Sequence, residues 1–412
     1  MRIGVVSQFY PPEPAVIPGG LAGELAERGH EVRVLTAYPN YPGGRVYQGY
    51  RQRWGTREEA GQLAVRRVPI YPSHDGSAVR RAANFLSFAA SSSAAGLRYL
   101  AGVEAIYVYH PPATAASAAI LSRLVRGTPF LLHVQDIWPE SVTASSMVPD
   151  GFAGRLIDRT LAGAMRRLYR AAGAIVVLSP AMGQLVVERG ADPERVRVVL
   201  NWANEKLFRP VPPTAAGRTA IGHRGRCTVM FAGNIGPFQR IDVAVRAAVA
   251  LPDLVDLVLV GSGTEEARVR RLADELGATN VRFLGRRRPE EMAELYAAAD
   301  FQLVMLRDLA ALRGTVPSKL QAALACGRPV LVAARGDVAA LVDSAQVGLT
   351  CPPEDVPALV RTLATAARMP EPERIAMGQR ARRVYQERMS RAAGVDQVED
   401  VLTKLGSGHC RT

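Results

Sequence analysis

Short apolar runs alternate with helix-patterned stretches along the whole of this chain, and no other feature limits its fold so tightly. The pattern predicts strands at 2–7, 31–36, 63–70, 103–109, 128–134, 174–178 and 195–199. It predicts a second set near 227–232, 255–260, 280–284, 300–305, 329–334 and 347–349. Helical stretches lie between them, the longest from about 79 to 100. Alternation of this kind makes parallel sheets with helices on both faces, an α/β class. At 412 residues the chain is too long for one core and suits two domains of roughly 200 residues. A stretch rich in Pro, Ala, Gly and Arg at 209–225 is expected as a linker between domains 1–208 and 226–390. The two halves are expected as Rossmann-like doubly wound domains facing a central cleft, where ligand sites commonly sit.

Charge narrows the partners. Of the net +13, residues 151–226 carry a large share, with thirteen Arg and Lys against five Asp and Glu. A helix over 152–172 places Arg155, Arg159, Arg166 and Arg170 on one face and Ile157, Leu161, Ala164, Met165 and Leu168 on the other. Such a helix is either a core-packed element with a solvated basic side or a peripheral contact for anionic lipid, at about 1 kcal/mol per basic residue. No aromatic residues interleave with these arginines, so nucleic acid is not an expected partner. No apolar run reaches the ~20 residues that span a bilayer, and Met1-Arg2 leads straight into a strand. A cytoplasmic protein is expected, at most peripheral on the inner face of the membrane. Cys227, Cys326, Cys351 and Cys410 show no paired metal spacing, which favours reduced thiols and no structural metal.

Two strand-to-helix turns in the second half point to phosphate chemistry. From Gly314 to Val332, Pro317 opens a helix, Cys326-Gly327 ends it, and a buried strand follows. Ser318 and Lys319 then lie on a first helical turn, where free N–H groups, the helix dipole and a lysine suit a diphosphate. Upstream, an apolar strand runs into Gly233-Asn234-Ile235-Gly236, with a helix from about Arg240. Glycines there let backbone approach a ligand, but the third glycine of the dinucleotide fingerprint is missing. A second glycine turn, Gly261-Ser262-Gly263, can line the same pocket.

Longer motifs accompany these turns: Val5-Val6-Ser7-Gln8-Phe9-Tyr10-Pro11-Pro12-Glu13, Tyr38-Pro39-Asn40-Tyr41-Pro42-Gly43-Gly44, Gln135-Asp136-Ile137-Trp138-Pro139-Glu140-Ser141 and Val316-Pro317-Ser318-Lys319-Leu320. In these the chain resembles the retaining GT-B glycosyltransferases of family 4, in particular bacterial fucosamine and colanic-acid transferases. The resemblance covers nearly the whole chain. It implies a nucleoside-diphosphate sugar (UDP or GDP) on the second domain, an acceptor on the first, and a segment 391–412 that returns to the first domain. It implies transfer with retention, the nucleophile entering from the leaving-group side and passing its proton to the departing phosphate. No Asp-x-Asp motif is present, so no cofactor or obligatory metal is expected.

Carried over by position, the resemblance makes Lys319 the fixed cation for the leaving diphosphate and places His110 beside the reacting sugar. For His110 the alternative is a strand-end histidine bonded to backbone. Asp136 is an acceptor-side carboxylate or a cap for the next segment. Glu13, Asn40, His133, Gln135 and Trp138 complete the acceptor side. The donor side takes Gly233, Asn234, Gly236, Gln239, Arg240, Gly261, Ser262, Gly263, Arg286, Arg288, Thr315, Val316, Pro317 and Ser318. At least one of Arg286-Arg287-Arg288 must be solvated. Departures are plain: two family glutamates fall at Gly314 and Ala322, an Arg and a Lys at Asn234 and Gln239, and an Arg at Gln135. Arg240 is the expected substitute for the lost phosphate cations. Transfer to a lipid-linked acceptor is the leading expectation. Transfer to a small-molecule acceptor and a catalytically silent scaffold are the alternatives.

Overall fold

A computed structural model describes residues 1–74, 77–138 and 152–408, and its chain divides into two compact units. The first comprises Met1–Leu200 with Gly394–Thr412, and the second Asn201–Ala393. These bounds differ from the sequence boundaries at 208 and 390.

In the first unit the elements run β1 (Arg2–Ser7), α1 (Val16–Glu27), β2 (Glu31–Ala37), β3 (Arg57–Ala60), β4 (Leu63–Val68), α2 (Ala78–Tyr99), β5 (Ala105–His110) and α3 (Ser117–Arg126). Then come β6 (Phe130–Val134), α4 (Phe152–Ala171), β7 (Ala174–Val177), α5 (Pro180–Glu188) and β8 (Val196–Val198). The sheet order is β3-β4-β2-β1-β5-β6-β7-β8. Seven strands are parallel, and β3 pairs antiparallel with β4 at the edge. The all-parallel expectation is corrected there. Arg57-Glu58-Glu59-Ala60 is exposed throughout, so it carries none of the apolar signal that marks a buried strand. Val6, Val108, Phe130, Leu132 and Ile175 fill the core beneath the helices.

The second unit runs α6 (Ala215–Ile221), β9 (Cys227–Ala232), α7 (Ile241–Val249), β10 (Val255–Val260), α8 (Glu266–Glu275), β11 (Val281–Gly285), α9 (Met292–Ala298) and β12 (Phe301–Met305). It continues with α10 (Ser318–Ala325), β13 (Val330–Ala333), α11 (Asp337–Ala345), β14 (Gly348–Cys351), α12 (Val356–Arg368) and α13 (Glu371–Arg388). Its six strands are all parallel, in the order β11-β10-β9-β12-β13-β14. The expected linker at 209–225 contains α6, which belongs to this unit. Thr214 caps it, its Oγ1 accepting from Gly217 N at 2.9 Å, and Gly222 closes it in the left-handed conformation at φ 67°.

The last helix, α14 (Arg391–Gly406), carries the segment from Gly394 into the first unit. There Arg28 Nη1 donates to Asp396 and Glu399 at 2.6 Å each, and His30 Nε2 lies 2.7 Å from Glu399. On α4, Met165 and Leu168 are buried and Arg159, Arg166 and Arg170 exposed. Ile157 and Ala164, expected on the packed face, are exposed instead, and the side chain of Arg155 and residue Cys410 lie outside the described residues.

Candidate active site

In the second unit, successive turns at the carboxyl ends of β9, β10 and β11 interlock through their backbones. Gly233 N donates to Val260 O at 2.8 Å, Ile235 N to Ser262 O at 3.0 Å, and Gly261 N to Gly285 O at 2.8 Å. The contact is so close that a Cβ on Gly261 would stand 2.0 Å from Gly233 O, and Gly261 has φ +125°. Only glycine fits there. The interlock also corrects an expectation. The N–H groups of Gly233, Ile235 and Gly236 are engaged internally, the last by Gln239 Oε1 at 3.2 Å, so this turn offers a phosphate fewer donors than its glycines suggest.

Lys319 sits against this turn. It is half-buried on the first turn of α10, its Nζ 5.0 Å from the Phe231 ring centre. A Cβ on Gly233 would meet Lys319 Cε at 2.5 Å, so the glycine makes room for the lysine. Among the described residues no carboxylate pairs with it, and burial pulls its pKa from 10.5 down to about 8. The result is a desolvated ammonium, lying against aromatic and backbone surface, with no counter-ion. Pro317 is the N-cap of α10 in extended conformation, and Ser318 is exposed at the first helical position. Helix geometry leaves the N–H groups of this first turn without intrahelical partners. Thr315 and Val316 lead into it, with Val316 buried. Gly314 and Ala322 bring no carboxylate, and Ala322 is buried in the helix packing.

Other donor-side expectations are redistributed. Arg286 Nε donates to Ser262 Oγ at 2.5 Å, joining the turns after β11 and β10. Arg286, Arg287 and Arg288 are all exposed, and Arg288, 80% exposed, pairs with Glu291 at 3.3 Å. Arg240 does not stand free for phosphates. Its guanidinium grips both oxygens of Asp242 at 3.1 Å and also bonds Glu354. Asn234 is exposed on the turn, and Gly236 and Gly263 back it closely.

The first unit holds a cavity of about 330 Å³ beside the carboxyl ends of β1, β5 and β6. Phe9, Tyr41, Phe85 and Trp138 give it aromatic walls, and Glu13, Arg81 and Asp136 give it charge. Glu13 is almost fully buried and accepts three backbone N–H groups, from Tyr10, Asn40 and Tyr41 at 3.1, 2.7 and 2.8 Å. Burial raises its pKa against the pull of those bonds. Its first task is therefore to clamp the loop of residues 38–47 onto the loop after β1. Asp136 is exposed at the rim, although the surrounding walls push its pKa up, and its charge adds to the burial that raises Tyr109.

The histidine and asparagine expectations need correction. His110 is fully buried behind Trp138, ring centres 5.8 Å apart, and is not in the cavity wall. Neither of its ring nitrogens has a hydrogen-bond partner, and burial lowers its pKa to about 4, so the ring is neutral. A backbone contact within His110 itself opposes the effect of burial without cancelling it, and the ring packs against Trp138. His133 is likewise buried, its Nδ1 2.6 Å from Tyr107 Oη, with a pKa lowered to about 3 by burial. Asn40 belongs to a buried chain, its Oδ1 accepting from Asn84, which in turn accepts from Gln8. Gln135 is half-buried and outside the cavity wall, its N–H donating to His110 O at 2.8 Å. Trp138 is held by Arg189, which donates to its carbonyl at 2.7 Å.

Several cavity residues escaped the sequence reading. Tyr109 lies one position before His110, His74 and Arg81 come from the stretch that opens α2, and Phe85 follows on α2. Among the described residues Arg81 Nε is buried with no hydrogen-bond partner. Tyr41 of the Tyr38–Gly44 motif was the available signal, since His74 packs edge-on against it at 4.7 Å. Among the described residues no group of three His, Cys, Asp or Glu is placed to hold a metal, and no helix is long and apolar enough to cross a membrane.

Residues 14–202 match the glycosyl transferase 4-like domain and residues 226–368 match the glycosyl transferases group 1 family. The putative colanic acid biosynthesis glycosyl transferase WcaI of Escherichia coli (strain K12) is 28% identical over 395 residues, 91% of this chain and 94% of that protein. The probable glycosyltransferase WbjE of Pseudomonas aeruginosa is 31% identical over 248 residues, 59% of this chain and 61% of that protein. Among solved structures, sucrose-phosphate synthase from Thermosynechococcus elongatus aligns with a TM-score of 0.72 at 19% identity, covering 99% of this chain and 100% of that one. Anabaena HepE in complex with UDP aligns at 0.71 and 18% identity, covering 98% and 100%. At such identities the structural likeness speaks for the fold.

Proposed function

We propose that this chain, which belongs to the GT-B glycosyltransferases of family 4, moves a sugar from a nucleoside diphosphate to an acceptor bearing an anionic group, with retention. One observation carries the donor half: the unpaired, half-buried ammonium of Lys319 against the interlocked glycine turns. As the bond between the anomeric carbon and the diphosphate oxygen breaks, negative charge grows on the leaving group. A preorganised, desolvated cation stabilises that charge more than the ground state, which is what accelerates the step. The acceptor oxygen forms the new glycosidic bond from the leaving-group side, and its proton passes to the departing phosphate. In this reading the counter-charge comes from Lys319 and the first turn of α10 rather than from a divalent ion.

The cavity of the first unit supports the acceptor half. Its aromatic walls suit the faces of a sugar or another flat apolar surface, and Arg81 supplies a cation whose Nε lacks a partner. A phosphate next to the reacting hydroxyl would satisfy it, which favours an acceptor on a lipid-diphosphate carrier over a neutral small molecule. The exposed arginines of α4, Arg159, Arg166 and Arg170, then offer a peripheral contact with an anionic membrane surface. WcaI is named for colanic acid biosynthesis, a glycan, which points the same way. For the donor base, UDP is the first choice because HepE was solved with it.

The test is thermal stability against UDP, GDP, dTDP and CMP. A ligand at 100 times its Kd adds about 2.7 kcal/mol to the native state, a shift of several degrees. UDP should give the largest shift, and Lys319→Ala should shrink it and cut turnover about 100-fold or more. A near-normal rate in Lys319→Ala, or no shift with any nucleotide, would sink the reading.

A further inference from the structure

One cavity of the second unit lies at the wrong end of the sheet for the donor. It measures about 650 Å³, and Cys227, Asp300 and Pro329 line it. These residues stand at the amino ends of β9, β12 and β13, three neighbours in the sheet, whereas Lys319 and the glycine turns follow carboxyl ends. The other walls are α13, the turn that ends α10, and the segment around α6.

Its charge is lopsided. Arg218, Arg226, Arg328, Arg374 and Arg382 line it against only Asp300 and Glu371. The protein's own acceptors account for part of this set. Asp300 takes Arg374 at 3.3 Å, Arg226 bonds Pro252 O, and Arg382 Nη1 donates to Ala325 O at 2.6 Å. Arg328 has no such partner. It is half-buried, and its Nε is shut off from solvent without a hydrogen bond. Desolvation lowers the Arg328 pKa; Cys326 and Asp300 offset part of that effect from a distance, and Arg218 adds repulsion. A guanidinium withdrawn from water without an acceptor is a costly arrangement that an anion in the cavity would relieve.

We propose that this cavity is a second binding site, for a small phosphorylated metabolite of sugar-phosphate to mononucleotide size, with Arg328 and Arg218 as its principal phosphate ligands. Planar guanidinium forks match phosphate oxygens two at a time, and the volume falls in the range of small-molecule sites. The first turn of α13, with Glu371 and Arg374 in the wall, links occupancy to the helix that packs on α10 through Gly378 and Gly327. Because α10 carries Lys319, a ligand here has a short route to the donor turns.

Inorganic pyrophosphate is the probe, used on full-length Lys319→Ala protein so that the donor turns do not contribute. Calorimetry should show saturable binding at or below about 1 mM, and hydrogen exchange should slow in residues 326–329 and 371–382. Arg328→Gln in that background should weaken binding about tenfold or more, and the exposed Arg218→Gln severalfold. Arg218→Gln keeps the test open if Arg328→Gln fails to fold. No saturable heat, protection confined to the donor turns, or unchanged affinity in the arginine variants would overturn the proposal. Failure of the donor reading would instead appear as missing nucleotide shifts in the wild type, with the pyrophosphate result intact.

Discussion

The lowered pKa of Lys319 makes nucleotide binding depend on pH in a way that few other sites would reproduce. The lysine titrates near pH 8 because burial against Phe231 and the Gly233 turn disfavours its charge. In the unfolded chain it titrates near its usual 10.5, so between those values the unfolded state holds the extra proton. The stability penalty is therefore complete below pH 8 and is relieved as pH rises from about 8 towards 10.5. A bound diphosphate reverses the balance, because its charge returns the ammonium to favour. Binding should then take up about half a proton at pH 8, when half the free protein is protonated. From pH 7 to pH 9 the protonated fraction falls from about nine-tenths to one-tenth, so UDP affinity should fall about tenfold, or about 1.4 kcal/mol. Calorimetric titrations at pH 7, 8 and 9, each in two buffers of different ionisation enthalpy, measure both quantities. Lys319→Ala should bind more weakly and with a flat profile. A flat wild-type profile, or an equally steep one in Lys319→Ala, would refute the assignment of this cation to the diphosphate.

Two further outcomes test the scaffold. Gly261→Ala forces a Cβ to within 2.0 Å of Gly233 O at a φ of +125°, and should destabilise the protein by about 2–4 kcal/mol in urea unfolding; an unchanged midpoint would mean the turns are not interlocked. Glu399→Gln should cost about 1–2 kcal/mol at pH 7, because burial disfavours the Glu399 charge but bonds from His30 and Arg28 outweigh it and hold its pKa low. That contribution is complete above the ordinary glutamate value and is lost as pH falls through the depressed one. The gap between variant and wild type should therefore close in acid, and a gap that persists there would assign the loss to packing.

The parts of the fold that showed in the sequence are those with a strong apolar signal. Strands such as Val255–Val260 are buried along their whole length and are bounded by turns, so pattern alone locates them. Arg57–Ala60 has no buried face, and α6 is seven residues long within a stretch of helix breakers, so neither stood out. The site divides in the same way. Lys319 was legible because proline, lysine and glycine each have a positional reason on that helix. His110 and His133 were placed correctly at strand ends, but alternation cannot say whether a cavity or another side chain lies beyond, and here Trp138 and Tyr107 do. His74 and Arg81 reach the cavity of the first unit from residues far from β5 and β6, and nothing local in the chain ties them to Asp136.

The fate of Arg240 explains why so much falls on one lysine. Sequence position made it the natural substitute for the cations missing at Asn234 and Gln239. It starts α7 in the left-handed conformation at φ 45°, and that geometry turns its guanidinium onto Asp242 and Glu354. Glu354 also accepts from Asp308 N at 2.9 Å, so a carboxylate from the loop after β14 ties down the loops after β9 and β12. A guanidinium holding two carboxylates has little field left for a phosphate, since its neighbours cancel it at short range. Among the described residues Lys319 has no such neighbour. Gly314 and Ala322 bring no carboxylate, and on the proposed reading an uncompensated, partly desolvated cation is the stronger partner for a leaving diphosphate. On the proposed reading, the donor site of this chain concentrates on Lys319 the charge that the resemblance would spread over several residues.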